Sequence, residues 1–189
     1  MFERLFAIVL YIPSLSYSLV RNYFNPEQWK RFDKIEEKLW LGMLPFWFDV
    51  ETFKSQKIDS VVTMNEDWEL FLSPDFKENG FDHLHLPTVD HNVELKQEDI
   101  KAGVKFIDEK IKDGKTCLVH CKAGRGRSVV LVACYLIHKY KYTPYKALEV
   151  IQEHRPQINI PLGANQMKSL YDYYIYTLQM EILSLSKKE

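Results

Sequence analysis

Cysteine is scarce in this sequence, which holds only Cys117, Cys121 and Cys134 among 189 residues. Three is an odd number and too few for a disulfide framework, which excludes a stapled secreted scaffold and points to a reducing compartment. Cys117 and Cys121 also lack the CxxC spacing and the second pair of a structural zinc site. An excess of charge of one sign is equally missing. Lys plus Arg total 25 against 26 Asp plus Glu, so no general basic field recruits nucleic acid, and any anion site must be local. No repeat or low-complexity tract divides the chain, and acids and bases are interspersed, so no domain boundary is expected after about residue 30. Long apolar runs are absent too, with one exception at the amino end.

That exception is "MFERLFAIVLYIPSLSYSLVR", which carries one acid, Glu3, and is bracketed by Arg4 and Arg21. Leu5 to Val20 is short for a hydrocarbon core and is interrupted by Pro13, Ser14, Ser16 and Ser18, which disfavours a transmembrane helix. No small-residue cleavage site follows, which disfavours a secretory signal. Two readings stay open: an amphipathic membrane-proximal or organelle-targeting segment, and a buried N-terminal helix packed on the domain. The chain therefore divides into an apolar segment, 1–25, and one domain, 26–189.

Within the domain, "KLWLG", "IDSVVTM", "DHLHLP" and "KTCLVH" read as strands. Ile100, Val104, Ile107 and Ile111 follow helical spacing up to Asp113-Gly114, a C-terminal stop. A second helix runs from near Arg127 to Tyr140, apolar nearly all round from Val129 to Ile137, as a fully buried element should be. Thr143-Pro144 supplies an N-cap and first-turn proline for a third, ending before Pro156, and a fourth covers about Asn165 to Leu183. Strands interleaved with helices predict an α/β fold around a central, mainly parallel sheet flanked by helices.

The chemistry concentrates where the last strand meets the buried helix. Cys121 and Arg127 are separated by Lys122, Ala123, Gly124, Arg125 and Gly126, and Ser128 follows. A short loop with two glycines can curl so that successive N–H groups point inward at the positive end of the next helix, forming an anion nest. Arg127 offers paired donors to phosphoryl oxygens. The same field should hold Cys121 as a thiolate, the attacking form. The bland alternative makes Cys121 a small hydrophobe in an ordinary turn, but burying Lys122, Arg125 and Arg127 together makes little sense without an anion to neutralise them.

Displacing an alkoxide needs an acid on a neighbouring loop. Asp90 in "LPTVDHN" follows a strand and is the best placed, with His83, His85 and His91 as competitors, whereas Asp99 and Asp108 read as helix residues. A Cys/His protease pair is disfavoured because His120 adjoins Cys121 on an alternating strand and points the other way. Trp40, Phe46, Trp47, Phe48, Trp68 and Phe71 offer an apolar rim or ordinary core, and Asn159 and Gln166 substrate contacts or turn roles.

"HCKAGRGRS" resembles the signature of the cysteine-dependent protein tyrosine and dual-specificity phosphatases. "EEKLWLGMLP", "VVTMNEDWE", "TVD", "VHCKAGRGRS" and "RPQINI", in that order, are similar to the mitochondrial dual-specificity-type phosphatases that act on phosphatidylglycerophosphate, as is "YIPSLSYSLVR" to their apolar N-terminal segment. The resemblance implies the cysteine-phosphatase fold, Cys121 as nucleophile, Arg127 as phosphoryl binder and Asp90 as acid and then base. Ser128 would assist thiolate departure and His120 would help set its pKa. Carboxylates of the "NEDWE" loop, Glu66, Asp67 and Glu69, would pair with the cations of the Cys121 loop. Asp67, Trp68 and Gly126 stand where such relatives carry Glu, Tyr and Ser. No metal or organic cofactor is implied, since the nest and Arg127 supply the charge stabilisation.

The expected function is thus phosphomonoester hydrolysis through a phosphocysteine. The expected substrate is phosphatidylglycerophosphate, converted to phosphatidylglycerol in cardiolipin synthesis at the matrix face of the mitochondrial inner membrane. The expected partners are a phospholipid and the membrane surface, with no nucleic acid and no obligate protein partner. A protein dual-specificity phosphatase is the alternative, and a catalytically silent phosphate-binding membrane scaffold is a further one. Arsenate reduction would need a resolving thiol, and Cys117 or Cys134 could serve only within bonding reach of Cys121, which their strand and core-helix positions disfavour.

Overall fold

The computed structural model describes residues 2–90 and 94–186, with side chains from residue 8 onward. Among these residues one sheet runs in the order β1 (Phe32–Glu36), β2 (Leu39–Gly42), β5 (Thr116–His120), β3 (Ile58–Thr63), β4 (Asp82–His85). β2, β5, β3 and β4 are mutually parallel, and β1 pairs antiparallel with β2 at one edge. The mainly parallel α/β expectation therefore holds, with β1 as an addition that its charged sequence, FDKIE, did not advertise.

β5 is buried at every position, as a parallel strand covered on both faces must be. Its alternation sorts two cores. Cys117 and Val119 face one side with Leu39, Leu41 and Val62, while Leu118 faces the other with Val61. The first side is roofed by α3 (Gln97–Lys112), α4 (Arg127–Tyr140), α5 (Pro144–His154) and α6 (Ala164–Ser186). The second is closed by Val50 and Phe53 of the short α2 (Val50–Ser55) with Phe76 and Phe81 from loops. α4 is buried continuously from Arg127 to Ile137. Each aliphatic side chain buried there contributes roughly 1.5–3 kcal/mol, so the helix fixes the loop before it. Thr143 caps α5 by accepting from the Lys146 N–H, with Pro144 in the first turn.

Register places the site. Gly42 and Thr63 both stand opposite His120, so three parallel strands end in one row and Cys121 leaves the sheet at its carboxyl edge. Open α/β sheets bind ligands at that edge.

The amino-terminal segment is a helix, α1 (Phe2–Phe24). Tyr11, Leu15 and Ser18 are buried at helical spacing, and Tyr11 and Leu15 cluster with Met43, Leu44 and Phe46. Ile8, Val9, Ile12 and Val20 are exposed on its other faces. The packed helix of the second reading is thus present on one side of α1, and its other faces expose apolar side chains. Among the described residues no helix is long and apolar enough to cross a membrane.

Candidate active site

The loop from Cys121 to Gly126 owes its shape to one glycine and one buried arginine. Gly124 has φ +64, and a Cβ there would lie 2.5 Å from the Gly42 carbonyl oxygen and 2.5 Å from Arg155 Nη2. No side chain fits such a backbone position in that space. Arg155 lies behind the loop, buried, and donates from Nε to the Gly124 carbonyl at 2.7 Å and from Nη2 to the Ala123 carbonyl at 3.1 Å. Its remaining nitrogen, Nη1, donates to Asp33 on β1 and to the Lys30 carbonyl. In a planar trans peptide the N–H opposes the C=O. Holding these two carbonyls outward therefore turns the N–H groups of Gly124 and Arg125 inward, toward the cleft.

Cys121 is buried at the start of this loop, and Ser128 Oγ donates to its sulfur at 3.2 Å. Burial pushes the thiol up, but the charge of Arg127 and the hydrogen bonds from Ser128 outweigh it, so the thiol lies below the ordinary cysteine range. Asp90 opposes them by raising it. Cys117 and Cys134, buried without such neighbours, are pushed up, Cys117 to about 12.

Arg127 is held from three sides. Nη1 donates to Glu69 Oε2 at 2.7 Å and to the Thr88 carbonyl at 2.7 Å, and Nη2 donates to Glu69 Oε1 at 3.1 Å. Its Nε stands 3.3 Å from Asp90 Oδ1, and the other Asp90 oxygen pairs with Lys122 Nζ at 2.5 Å. Burial opposes the charged form of Arg127, and Asp90, Glu69 and Cys121 more than restore it. Asp90 thus bridges the two cations at the cleft that Cys121 also lines, while Glu69 holds the other guanidinium nitrogens.

A cleft of about 270 Å3 opens here, lined by Cys121, Lys122, Ala123, Arg125, Gly126, Asp90, Asn159 and Gln166, with Ser14, Tyr17 and Ser18 of α1 on one side. A larger depression of about 730 Å3 lies among Lys34, Lys57, Asp59, Asp82 and Lys115, beside the amino ends of the parallel strands. It holds no cysteine, and Lys115 and Asp82 in it pair with each other.

The expected residues sort as follows. Cys121, Arg127, Asp90, Lys122, Ser128 and Glu69 converge. Arg125 lines the cleft, but its Nε donates to the Gln157 carbonyl and its guanidinium stacks on Trp29, so its main chain rather than its charge shapes the nest. Glu66 accepts a bond from Trp68 Nε1. Asp67 departs from expectation: its carboxylate is 90% exposed and pairs with His85 at 3.6 Å, because the 3-10 turn at Asp67–Glu69 points position 69 inward and 67 outward. His120 is buried, faces Phe76 and is pushed down to about 3 chiefly by burial, so it adds no cationic charge beside Cys121. Its Nε2 and that of His83 share the Thr63 hydroxyl, each at 2.8 Å. His85 bonds to the Asn65 carbonyl, so neither competing histidine of β4 stands at the cleft, and His91 lies outside the described residues. Of the aromatic set, Trp47, Phe48 and Phe71 are exposed, Phe46 is buried, and Trp40 and Trp68 pack against core clusters.

Space at Gly126 is also accounted for. A Cβ there would meet the Gln166 side-chain amide at 2.6 Å, so Gln166 of α6 occupies the volume that a serine side chain would need. Arg155 and the α1 residues were not foreseen as site residues. Arg155 carried the only available signal, an arginine directly before Pro156 in "RPQINI".

Comparison with known proteins gives concordant results. The dual specificity phosphatase catalytic domain family matches residues 39–175. A phosphatidylglycerophosphate phosphatase of Arabidopsis thaliana, PTPMT1, is 37% identical over 169 residues, covering 89% of this chain and 49% of the relative. This chain therefore spans about half the length of that relative. The Homo sapiens phosphatidylglycerophosphatase and protein-tyrosine phosphatase 1 is 34% identical over 163 residues, covering 83% of this chain and 81% of the relative. The crystal structure of PTPMT1 in complex with PI(5)P superposes with a TM-score of 0.76 at 28% identity, covering 80% of this chain and 99% of that one.

Proposed function

Since the chain belongs to the dual specificity phosphatase family, among the phosphatidylglycerophosphate phosphatases, we propose that it hydrolyses a phosphomonoester through a phosphocysteine on Cys121, with phosphatidylglycerophosphate as the substrate. The observation that carries the reading is that Cys121 and Asp90 line one cleft, with Arg127 Nε 3.3 Å from Asp90 and Glu69 fixing the other side of the guanidinium.

The charges suggest how the cycle runs. Without substrate, Lys122 and Arg127 face the carboxylates of Glu69 and Asp90 and the sulfur of Cys121, whose thiol Arg127 and Ser128 push toward the thiolate. A phosphate arriving with further negative charge competes with Asp90 for Arg127 Nε and, at close range, favours the protonated carboxyl. Substrate binding thereby displaces Asp90 from Arg127 and lets it take up a proton from solvent, so that it can act as the acid. The thiolate attacks phosphorus, the bond to the leaving oxygen breaks, and Asp90 gives that oxygen its proton. The inward N–H groups and Arg127 take up charge on the phosphoryl oxygens. Water then attacks the phosphocysteine, passing a proton to Asp90, and the departing thiolate is received by the Ser128 hydroxyl.

The lipid assignment is supported by the relatives' names and by a surface. Ile8, Val9 and Ile12 of α1 are exposed and supply apolar surface on its outer side, and Phe71, which packs against Tyr11 of the same helix, Trp47 and Phe48 are exposed as well. Exposed apolar surface of this kind on a helix that also borders the cleft suits a membrane surface. In this reading residues 1–25 are the membrane-proximal segment, 26–189 the catalytic domain, and the site of action the matrix face of the mitochondrial inner membrane, in the supply of phosphatidylglycerol for cardiolipin. The human relative's name also includes protein-tyrosine phosphatase, which keeps phosphoprotein hydrolysis as the second reading.

Phosphate release from vesicles containing phosphatidylglycerophosphate, compared with a phosphotyrosine peptide and a small aryl phosphate, tests the assignment. The lipid should be favoured, and Cys121→Ser should abolish turnover of all three. Equal or better turnover of the peptide would replace the first reading by the second.

A further inference from the structure

α1 is tied to the site by the residues that build the site. Tyr11 O–H donates to the main-chain carbonyl of Glu69 at 2.6 Å, its ring lies 5.6 Å from Lys122 Nζ, and it meets Trp68 edge-on at 5.1 Å. Glu69 and Lys122 are the partners of Arg127 and Asp90 respectively. The helix therefore docks on the two residues that hold the cation pair, and one turn further on it presents Ser14, Tyr17 and Ser18 to the cleft.

The chemistry of that face is specific. Ser14 Oγ donates to the Leu10 carbonyl and Ser18 Oγ to the Ser14 carbonyl at 3.1 Å. With its proton directed back into the helix, each hydroxyl has lone pairs left to offer, and it can accept hydrogen bonds from a ligand. Opposite stand the phosphate nest and Asp90, which serve the phosphoryl group and the leaving oxygen. A wall of acceptors beside the leaving oxygen matches a leaving group that carries its own hydroxyl donors.

We propose that α1 is one wall of the substrate site, and that Ser14, Ser18 and Tyr17 select phosphomonoesters whose leaving group is a polyol over those whose leaving group has no free hydroxyl. The inference deepens the phosphatase reading and rests on its nucleophile, but it depends neither on a lipid substrate nor on a membrane. It also gives α1 two separate duties, since the faces that carry Ile8, Val9 and Ile12 are exposed while the polar residues line the cleft.

The test uses the full chain and a soluble pair, sn-glycerol 3-phosphate and n-propyl phosphate, alike in length and different in hydroxyls. The unmodified protein should prefer the glycerol ester, and Ser14→Ala combined with Ser18→Ala should shrink the kcat/KM ratio about three- to tenfold, the worth of one or two hydrogen bonds. Tyr17→Leu, at a half-exposed position, should shrink it in the same direction, with Tm measured alongside. If turnover of these small esters is too slow, their affinities are read from protection of Cys121 against alkylation by iodoacetate, with the same expected ordering. A preference that survives in both variants, or its absence in the unmodified protein, overturns the proposal. The vesicle assay fails or succeeds independently, so loss of the lipid assignment leaves this result interpretable.

Discussion

Two arginines in this protein are equally buried, Arg127 and Arg155, each at 1% exposure, and they meet opposite fates. Arg127 faces Glu69, Asp90 and Cys121, and these anions push its guanidinium up despite burial. Arg155 faces one carboxylate, Asp33, and otherwise main-chain carbonyls, so burial pushes its guanidinium down and Asp33 only partly offsets it. Both are desolvated charges, expensive unless their hydrogen bonds are complete. Every nitrogen of Arg155 donates to the protein, which fixes the back of the loop. Arg127 leaves Nε against Asp90, a partner that a phosphate can replace. The difference separates scaffold from machinery among residues that burial alone cannot tell apart.

Arg127→Lys should have the largest effect. A point charge cannot hold both Glu69 oxygens and a phosphoryl group together, so kcat should fall about a hundred- to thousandfold, measured on an aryl phosphate. A loss under tenfold would mean that the nest alone carries the charge. Asp90→Asn comes next. With an alkyl leaving group kcat should drop roughly a hundredfold, while an activated aryl phosphate, which needs no acid, should be largely spared. Equal losses on both substrates would remove Asp90 as the acid. Arg155→Lys should matter least for turnover and most for stability. Losing the paired donors to Ala123 and Gly124 should cost about 2 kcal/mol, seen as a fall of about 4–8 °C in Tm, with kcat reduced about tenfold. A loss of turnover matching Arg127→Lys at unchanged Tm would erase the distinction between the two arginines.

What could be read ahead of the structure was local. The strand, nest and buried helix around Cys121 occupy consecutive residues, and their periodicity and spacing announce them; α4 begins at Arg127 as expected. Asp90 was legible as a loop residue after a strand at the same edge of the sheet. Arg155 was not, because its partner Asp33 is 122 residues away and sits on a strand whose charged sequence reads as loop. Tyr11 reaches Glu69 across 58 residues. Glu69 and Asp67 were indistinguishable by composition, and only the turn that carries them decides which carboxylate is buried.

The row formed by Gly42, Thr63 and His120 makes the site far less tolerant of changes in length than of changes in side chain. Neighbouring residues of a strand face opposite sides, so one residue inserted or deleted within β5 would exchange the places of His120 and Cys121. The thiol would then face Phe76 and Thr63, and the imidazole would stand under the nest. Substitutions along β5 grade the activity, whereas a single-codon insertion or deletion there should extinguish it even in a chain that still folds. The same register leaves the loop at Lys77–Gly80, away from this row, as the place where length can vary at little cost.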